Sequence, residues 1–254
     1  MSSYLFVAIA VGLMLYKICL WLAVVRFEAP LGASAVYVAT TLLMLWSYWR
    51  AMFVLPLGRR AVDGKVRDAD ATGADQAMRY CERCDDDKPA FVHHCSACKR
   101  CIYRMDHHCP WTNNCVGWDN KKHFLLFLVY TSASCLSFAA MVTPLVLGAS
   151  TSPSFALRLG WVLALAVGGL LAGYFTFHVW LLYEGKTTLE FLSGRPGELA
   201  GLPLLHNVKV YFGANAWSWW LPTTPAGFQS GYSAVGGVDR SRDEERSKYR
   251  ELVV

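Results

Sequence analysis

The stretch CERCDDDKPAFVHHCSACKRCIYRMDHHCPWTNNC, residues 81–115, holds seven of the nine cysteines, and its spacing decides the fold. Counted from Cys81 it runs Cys81-x2-Cys84-x9-His94-x6-Cys101. Counted from Cys95 it runs Cys95-x2-Cys98-x9-His108-x6-Cys115, the same unit shifted by 14 residues. Three thiols and one imidazole form a tetrahedral zinc set. The segment therefore predicts two structural Zn2+ ions whose ligand sets interleave and cross-tie the loops. One zinc with spare thiols, or another pairing of the same eight residues, remains open on spacing alone. A third unit begun at Cys109 would need a cysteine at 112, a histidine at 122 and a cysteine at 129. The chain has Thr112, Lys122 and Val129, so Cys109 is left over.

Outward from the ladder the chain turns apolar. It has 254 residues, 54% of them hydrophobic, with 10 Trp and a mean hydropathy of +0.28. Four stretches, 4–25, 34–57, 125–147 and 161–183, are long enough to cross a bilayer, which takes about 20 apolar residues. The first has no basic leader and no small-residue cleavage site, and reads as a retained span. The predicted fold is an α-helical polytopic membrane protein. Four transmembrane helices carry a small zinc-stapled, Cys-rich cytosolic domain between helices 2 and 3. The organisation reads 1–57 for the first two spans, 58–77 for a linker, 78–123 for the zinc domain, 124–183 for spans three and four, and 184–254 for a tail. The zinc domain is too short and too poor in aliphatics for a good core without metal. The aromatic run 211–221, YFGANAWSWWL, places part of the tail against the membrane interface.

Basic residues set the orientation. Residues 58–123 carry 12 Lys and Arg and residues 184–254 carry 8, while the two other linkers hold one Arg each, Arg26 and Arg158. Both termini and the zinc domain are expected on the cytosolic side, where disulfides rarely persist and clustered thiols bind metal or react. In residues 58–123, 10 acidic residues nearly balance the 12 basic ones, which argues against a nucleic-acid partner.

The left-over Cys109 stands three residues after Asp106 and two after His107. A nucleophilic thiol needs a base within reach and the base needs an orienting group, and Asp106, His107 and Cys109 supply all three. The bland alternative is a buried spare thiol beside ordinary polar residues. Cys109 lies shortly before span three, so a thiolate there can meet both a lipid tail and a soluble head group, which favours acyl transfer over proteolysis.

Asp106-His107-His108-Cys109, the continuation PWTNNCVGWDNKKHF (residues 110–124), the ladder and the four-span layout resemble the DHHC-type protein S-acyltransferases, the palmitoyltransferases. Thr187-Thr188-Leu189-Glu190 is similar to that family's TTxE motif, and Asn207 with Phe212-Gly213 to its tail element. The resemblance implies a two-step reaction: Cys109 takes a long-chain acyl group from acyl-CoA (palmitoyl-CoA) and passes it to a cysteine of a substrate protein. It implies His107 as base, Asp106 as its orienter, and His108 as a zinc ligand. The implied partners are membrane-associated substrate proteins with juxtamembrane cysteines and the lipid bilayer. The family setting is an endomembrane, Golgi or ER, with the plasma membrane as the other possibility. The resemblance also makes Thr187, Thr188 and Glu190 organisers of the site, and Asn207 an anchor of the tail.

Other residues read more plainly. Cys19 and Cys135 are packing residues within spans. Ser134 falls where the family lines its acyl cavity, and a small side chain there leaves room for a longer chain. Arg50 is expected to snorkel to the surface, His123 to be interfacial, and His178 to pack between helices. Lys121 and Lys122 are candidates for CoA phosphates or anionic lipid head groups. The competing function is a non-catalytic membrane adaptor whose zinc domain recruits partners. It needs the eight ligands but not Cys109. A zinc-domain ubiquitin ligase would space its ligands differently, and a zinc hydrolase would need an open coordination position.

Overall fold

The computed structural model describes residues 3–56, 79–88, 91–148 and 153–225. The expected linker over 58–77 and the charged end of the tail lie outside them. Among the described residues, four helices are long and apolar enough to cross a membrane: Tyr4–Glu28, Leu31–Phe53, Lys121–Leu147 and Phe155–Tyr183. The Cys-rich region lies in sequence between the second and third. The second span ends at Phe53 rather than at 57, because Pro56 lacks an N–H and disfavours helix in the residue before it. Its end is sealed by side chains. Asn114 Nδ2 donates to the carbonyls of Ala51, Met52 and Val54 at 3.0, 3.2 and 3.0 Å, and Asn120 Nδ2 donates to Val54 at 3.1 Å. These are orphan carbonyls of a helix terminus. The fourth span begins at Phe155, before the apolar run itself, because Ser154 Oγ accepts from Leu157 N at 3.3 Å.

The described residues form two compact units. One is drawn from Met1–Arg50, Pro110–Asn113 and His123–His178. Its core takes Val25 from the first span, Tyr37 from the second, Phe138, Ala139 and Val142 from the third, and Leu157 and Ala164 from the fourth. The third span is the central one: 72% of it is buried, against 17–28% of the others. In lipid there is little hydrophobic drive between helices, so close approach and hydrogen bonds hold them. Gly168 supplies the approach, since a Cβ there would stand 3.0 Å from Leu136, and Ser132 Oγ donates to the Gly168 carbonyl at 2.8 Å.

Hydrogen bonding is concentrated at Lys17, which hydropathy alone passes over. Its Nζ donates to Ser134 Oγ at 2.6 Å, Ser134 shares a 2.6 Å bond with Thr41 Oγ1, and the ammonium lies 5.6 Å from the Tyr37 ring centre. Three spans are thereby tied through one buried cation. The space beside Ser134 is thus taken by Lys17, and Ser134 is wholly buried. Cys135 packs in the core as expected, whereas Cys19 is exposed on the surface of the span.

The second unit is drawn from Ala51–Cys109, Asn114–Lys122 and Val179–Val254. Its Cys-rich part is three antiparallel hairpins: β1 (Arg79–Cys81) with β2 (Asp86–Lys88), β3 (Val92–Cys95) with β4 (Arg100–Tyr103), and β5 (His107–Cys109) with β6 (Asn114–Val116). The three registers repeat at the 14-residue period. Cys81 faces Asp86, Cys95 faces Arg100, and Cys109 faces Asn114. The residue before each second strand is left-handed in all three, Asp85, Lys99 and Asn113, with φ of 52°, 53° and 47°. The backbone therefore contains a third copy of the knuckle, although the ligand pattern stops after two.

Past the fourth span, Thr187 caps the short helix Thr188–Leu192 in a capping box with Glu190, which satisfies two orphan N–H groups reciprocally. The tail helix Leu204–Phe212 is anchored by Asn207, whose Nδ2 donates to the Leu182 carbonyl at 2.9 Å. A 3-10 turn, Ala216–Trp220, follows, with Trp217 and Trp220 exposed.

Candidate active site and metal centres

Each hairpin carries a cysteine at its tip and, in the second and third, a Cys/His pair across its strands. The register sets His94 opposite Cys101 and His108 opposite Cys115. The tip thiols Cys81 and Cys84 of the first hairpin meet the His94–Cys101 pair of the second. The tip thiols Cys95 and Cys98 of the second meet the His108–Cys115 pair of the third. In each group all four ligand atoms lie within 4.8 Å of one another. In the first, His94 Nδ1 is 3.6 Å from Cys81 Sγ and 3.2 Å from Cys84 Sγ, and Cys101 Sγ is 3.6 Å from Cys84 Sγ. In the second, His108 Nδ1 is 3.4 Å from Cys98 Sγ and 3.6 Å from Cys115 Sγ, and those two sulfurs are 3.4 Å apart. A tetrahedron with Zn–S of about 2.3 Å and Zn–N of about 2.0 Å has edges of roughly 3.5–3.8 Å. The donor sets fit a metal ion each. All nine cysteines are free thiols.

Strand β5 explains the division of labour between adjacent histidines. Side chains alternate along a strand, so His108 faces Cys115 and the second metal group while His107 and Cys109 share the other face. His107 Nδ1 donates to Asp106 Oδ2 at 2.7 Å, which leaves Nε2 as the ring nitrogen for Cys109. Burial alone would push the His107 imidazole down; hydrogen bonds to Asp106 and to Cys109 outweigh it and raise it to about 9. Cys109 is buried, with 5% of its surface exposed.

Asp106 is itself wholly buried and receives donors from three residues, His107, Thr188 and Lys121. Besides His107, the Thr188 N–H donates to Oδ1 at 3.0 Å, the Thr188 hydroxyl to Oδ2 at 2.8 Å, and Lys121 Nζ to Oδ1 at 2.5 Å. The TTxE residues thus reach the site by way of Thr188, with Thr187 and Glu190 forming the cap that aims it. Lys121 was not legible from sequence as a partner of Asp106. Only the fold brings residues 15 apart to one carboxylate.

The structure corrects several expectations. Lys121 and Lys122 are both buried and do not present phosphate-binding ammonium groups. Lys122 Nζ donates to the carbonyls of Ser218 and Thr223 at 2.8 and 3.1 Å, closing the tail turn. His123 is buried and lies 3.4 Å from Arg50. His178 is wholly buried among Phe124, Tyr174 and Phe177, a packing role.

Sequence reading also missed two basic features. Arg104, 2% exposed, lies 5.6 and 5.3 Å from the ring centres of Trp118 and Tyr211 and pairs with Glu198 at 3.1 Å, while Tyr103 OH donates to the same carboxylate at 2.9 Å. Arg79, Lys88 and Arg195 converge on His93; burial first, then these three cations, lowers its imidazole to about 4. Their separation in sequence hid the cluster.

The model of the DHHC palmitoyltransferase family matches residues 74–195. Palmitoyltransferase ZDHHC2 of Homo sapiens is 31% identical over 261 residues, covering 85% of this chain and 70% of the relative. ZDHHC2 of Mus musculus is 30% identical over 262 residues with the same coverage. Palmitoyltransferase ZDHHC15 of Homo sapiens is 31% identical over 225 residues, covering 73% of this chain and 66% of the relative. A relative at this identity over most of both chains carries more than the ladder alone, and the chain belongs to the DHHC palmitoyltransferase family.

Proposed function

We propose that this chain moves a long-chain acyl group, palmitoyl in the first instance, from acyl-CoA to cysteine thiols of membrane-associated proteins. The observation that carries the reading is the continuous chain of contacts from Asp106 through His107 to Cys109. In the first step His107 takes the Cys109 proton and the thiolate attacks the acyl-CoA carbonyl. The tetrahedral adduct collapses to the Cys109 acyl thioester, and the departing CoA thiolate takes the proton back from His107. In the second step His107 removes the proton of the substrate cysteine, whose thiolate attacks the acyl-enzyme; Cys109 leaves as thiolate and takes the proton back from His107. One thioester replaces another in each step. The enzyme's contribution is therefore thiolate supply and positioning rather than driving force.

Two Zn2+ ions, one held by Cys81, Cys84, His94 and Cys101 and the other by Cys95, Cys98, His108 and Cys115, supply folding stability to hairpins that have little apolar core. Four protein ligands leave neither ion an open position, so both are structural. The cations Arg79, Lys88 and Arg195 suit the phosphates of a CoA-type co-substrate better than the buried Lys121 and Lys122 do. The basic excess of residues 58–123 favours a cytosolic placement of the site, and an endomembrane, Golgi or ER, is the setting the family resemblance supports. An adaptor would have no use for the Asp106–His107–Cys109 contacts.

Labelling of the purified chain with an alkyne palmitoyl-CoA, wild type beside Cys109→Ser, tests the reading. Hydroxylamine-labile label on wild type and none on Cys109→Ser is the expected result. Equal label on both, or none on a wild type that retains two zincs, overturns it.

A further inference from the structure

We propose that Lys121 is a positioning residue for Asp106 and, through it, for His107; this rests on the acyl-transfer reading above. The Lys121 ammonium lies 2.5 Å from Asp106 Oδ1, with the two side chains 3% and 1% exposed. Its backbone is fixed where the third span begins: Lys121 N donates to the Gly117 carbonyl at 3.0 Å, and Asn120 beside it donates to Val54 and Cys115.

The placement of these donors on the two oxygens gives Lys121 its role. Thr188 donates once to each oxygen of Asp106 and so holds the plane of the carboxylate without distinguishing its two ends. Lys121 donates to Oδ1 and His107 to Oδ2. With the ammonium holding Oδ1, Oδ2 stays turned to His107 Nδ1, and the imidazole keeps Nε2 for Cys109. Lys121 also brings a full positive charge to a wholly buried carboxylate, which neutral donors do not do, and a buried charge is costly unless paired. Lys121 touches neither the thiol nor an acyl group; it acts through Asp106.

The test uses the full-length chain purified in detergent. Lys121→Met keeps the length of the side chain and removes its charge, and Lys121→Arg keeps the charge. Acyl-enzyme formation is followed against palmitoyl-CoA concentration, with zinc content measured in parallel. Alkylation of Cys109 by iodoacetamide, which needs no acyl-CoA, is a second readout of the same positioning. Lys121→Met is expected to lower the maximal acylation rate roughly 10–100-fold, the scale of a misplaced catalytic group. The KM for palmitoyl-CoA and two zincs per chain are retained, alkylation slows, and Lys121→Arg recovers most of the loss. In an Asp106→Asn background the same Lys121→Met change costs nothing further, because the two residues act as one unit.

A Lys121→Met protein with wild-type acylation and alkylation overturns the proposal. So does a slowing equally large with and without Asp106, or a loss of zinc common to both Lys121 variants. A wild type that takes no acyl label while its alkylation still depends on Lys121 overturns the acyl-transfer reading and leaves the positioning role standing.

Discussion

Thr188 grips Asp106 by both oxygens: its N–H reaches Oδ1 at 3.0 Å and its hydroxyl reaches Oδ2 at 2.8 Å. The two residues are 82 positions apart. The segment after the fourth span therefore contributes to the same carboxylate as the hairpin. Thr188→Val keeps the N–H and shape but removes the hydroxyl. It is expected to slow acyl-enzyme formation about 10-fold with zinc unchanged, and Thr188→Ser to restore most of the rate. Label accumulation over time on the two variants measures this.

Metal removal should act unequally on the two groups. The second group includes His108 and Cys115, which face each other on the strands that carry His107 and Cys109. Cys115→Ala is expected to lower zinc to about one per chain and to abolish acyl labelling. Chelation of both ions should open residues 79–120 to protease. Zinc by mass spectrometry and limited proteolysis report the two effects, and Cys115→Ala protein with two zincs and normal labelling would contradict the assignment.

Arg104 depends on Glu198. The guanidinium is nearly inaccessible, and Glu198 is the carboxylate that pairs with it. Stranding a buried charge costs roughly 3–5 kcal/mol. Glu198→Ala should therefore lower the thermal midpoint markedly, while Tyr103→Phe, which removes one hydroxyl donor to the same group, costs about 1 kcal/mol. A thermal shift series in detergent separates the two.

Lys17 makes the opposite case. A lysine at the middle of a bilayer costs about 2.5–3.5 kcal/mol on insertion scales, whereas intramembrane hydrogen bonds contribute about 0.6–2 kcal/mol each. Lys17→Met leaves Ser134 bonded to Thr41 and removes the cation. It is expected to match or exceed wild type in thermal stability, and a large loss would show that the ammonium itself holds the spans together.

How far the sequence reached follows from the range over which each interaction acts. Apolar length marks a span wherever it occurs, so four spans were legible, with errors confined to ends set by partners such as Asn114 and Ser154. The ladder was legible because its ligands recur at a fixed local spacing. Lys17 was missed because a single charge vanishes in an apolar average. Lys121, Glu198 and Arg195 were missed because their roles arise from contacts that only the folded chain makes. The reading of Lys121 and Lys122 as surface cations failed for the same reason: each is consumed by an internal acceptor.

The third hairpin keeps the knuckle backbone, with Asn113 left-handed as Asp85 and Lys99 are, yet carries Thr112 where a second sulfur would stand. That one replacement protects the thiol from capture. Two thiolates on a knuckle chelate, and chelation is what makes such turns hold metal so tenaciously. With one sulfur the turn itself cannot chelate in that way. On the acyl-transfer reading proposed above, the third knuckle keeps its sulfur out of a metal cage, and a Thr112→Cys substitution is expected to turn the proposed nucleophile into a trap.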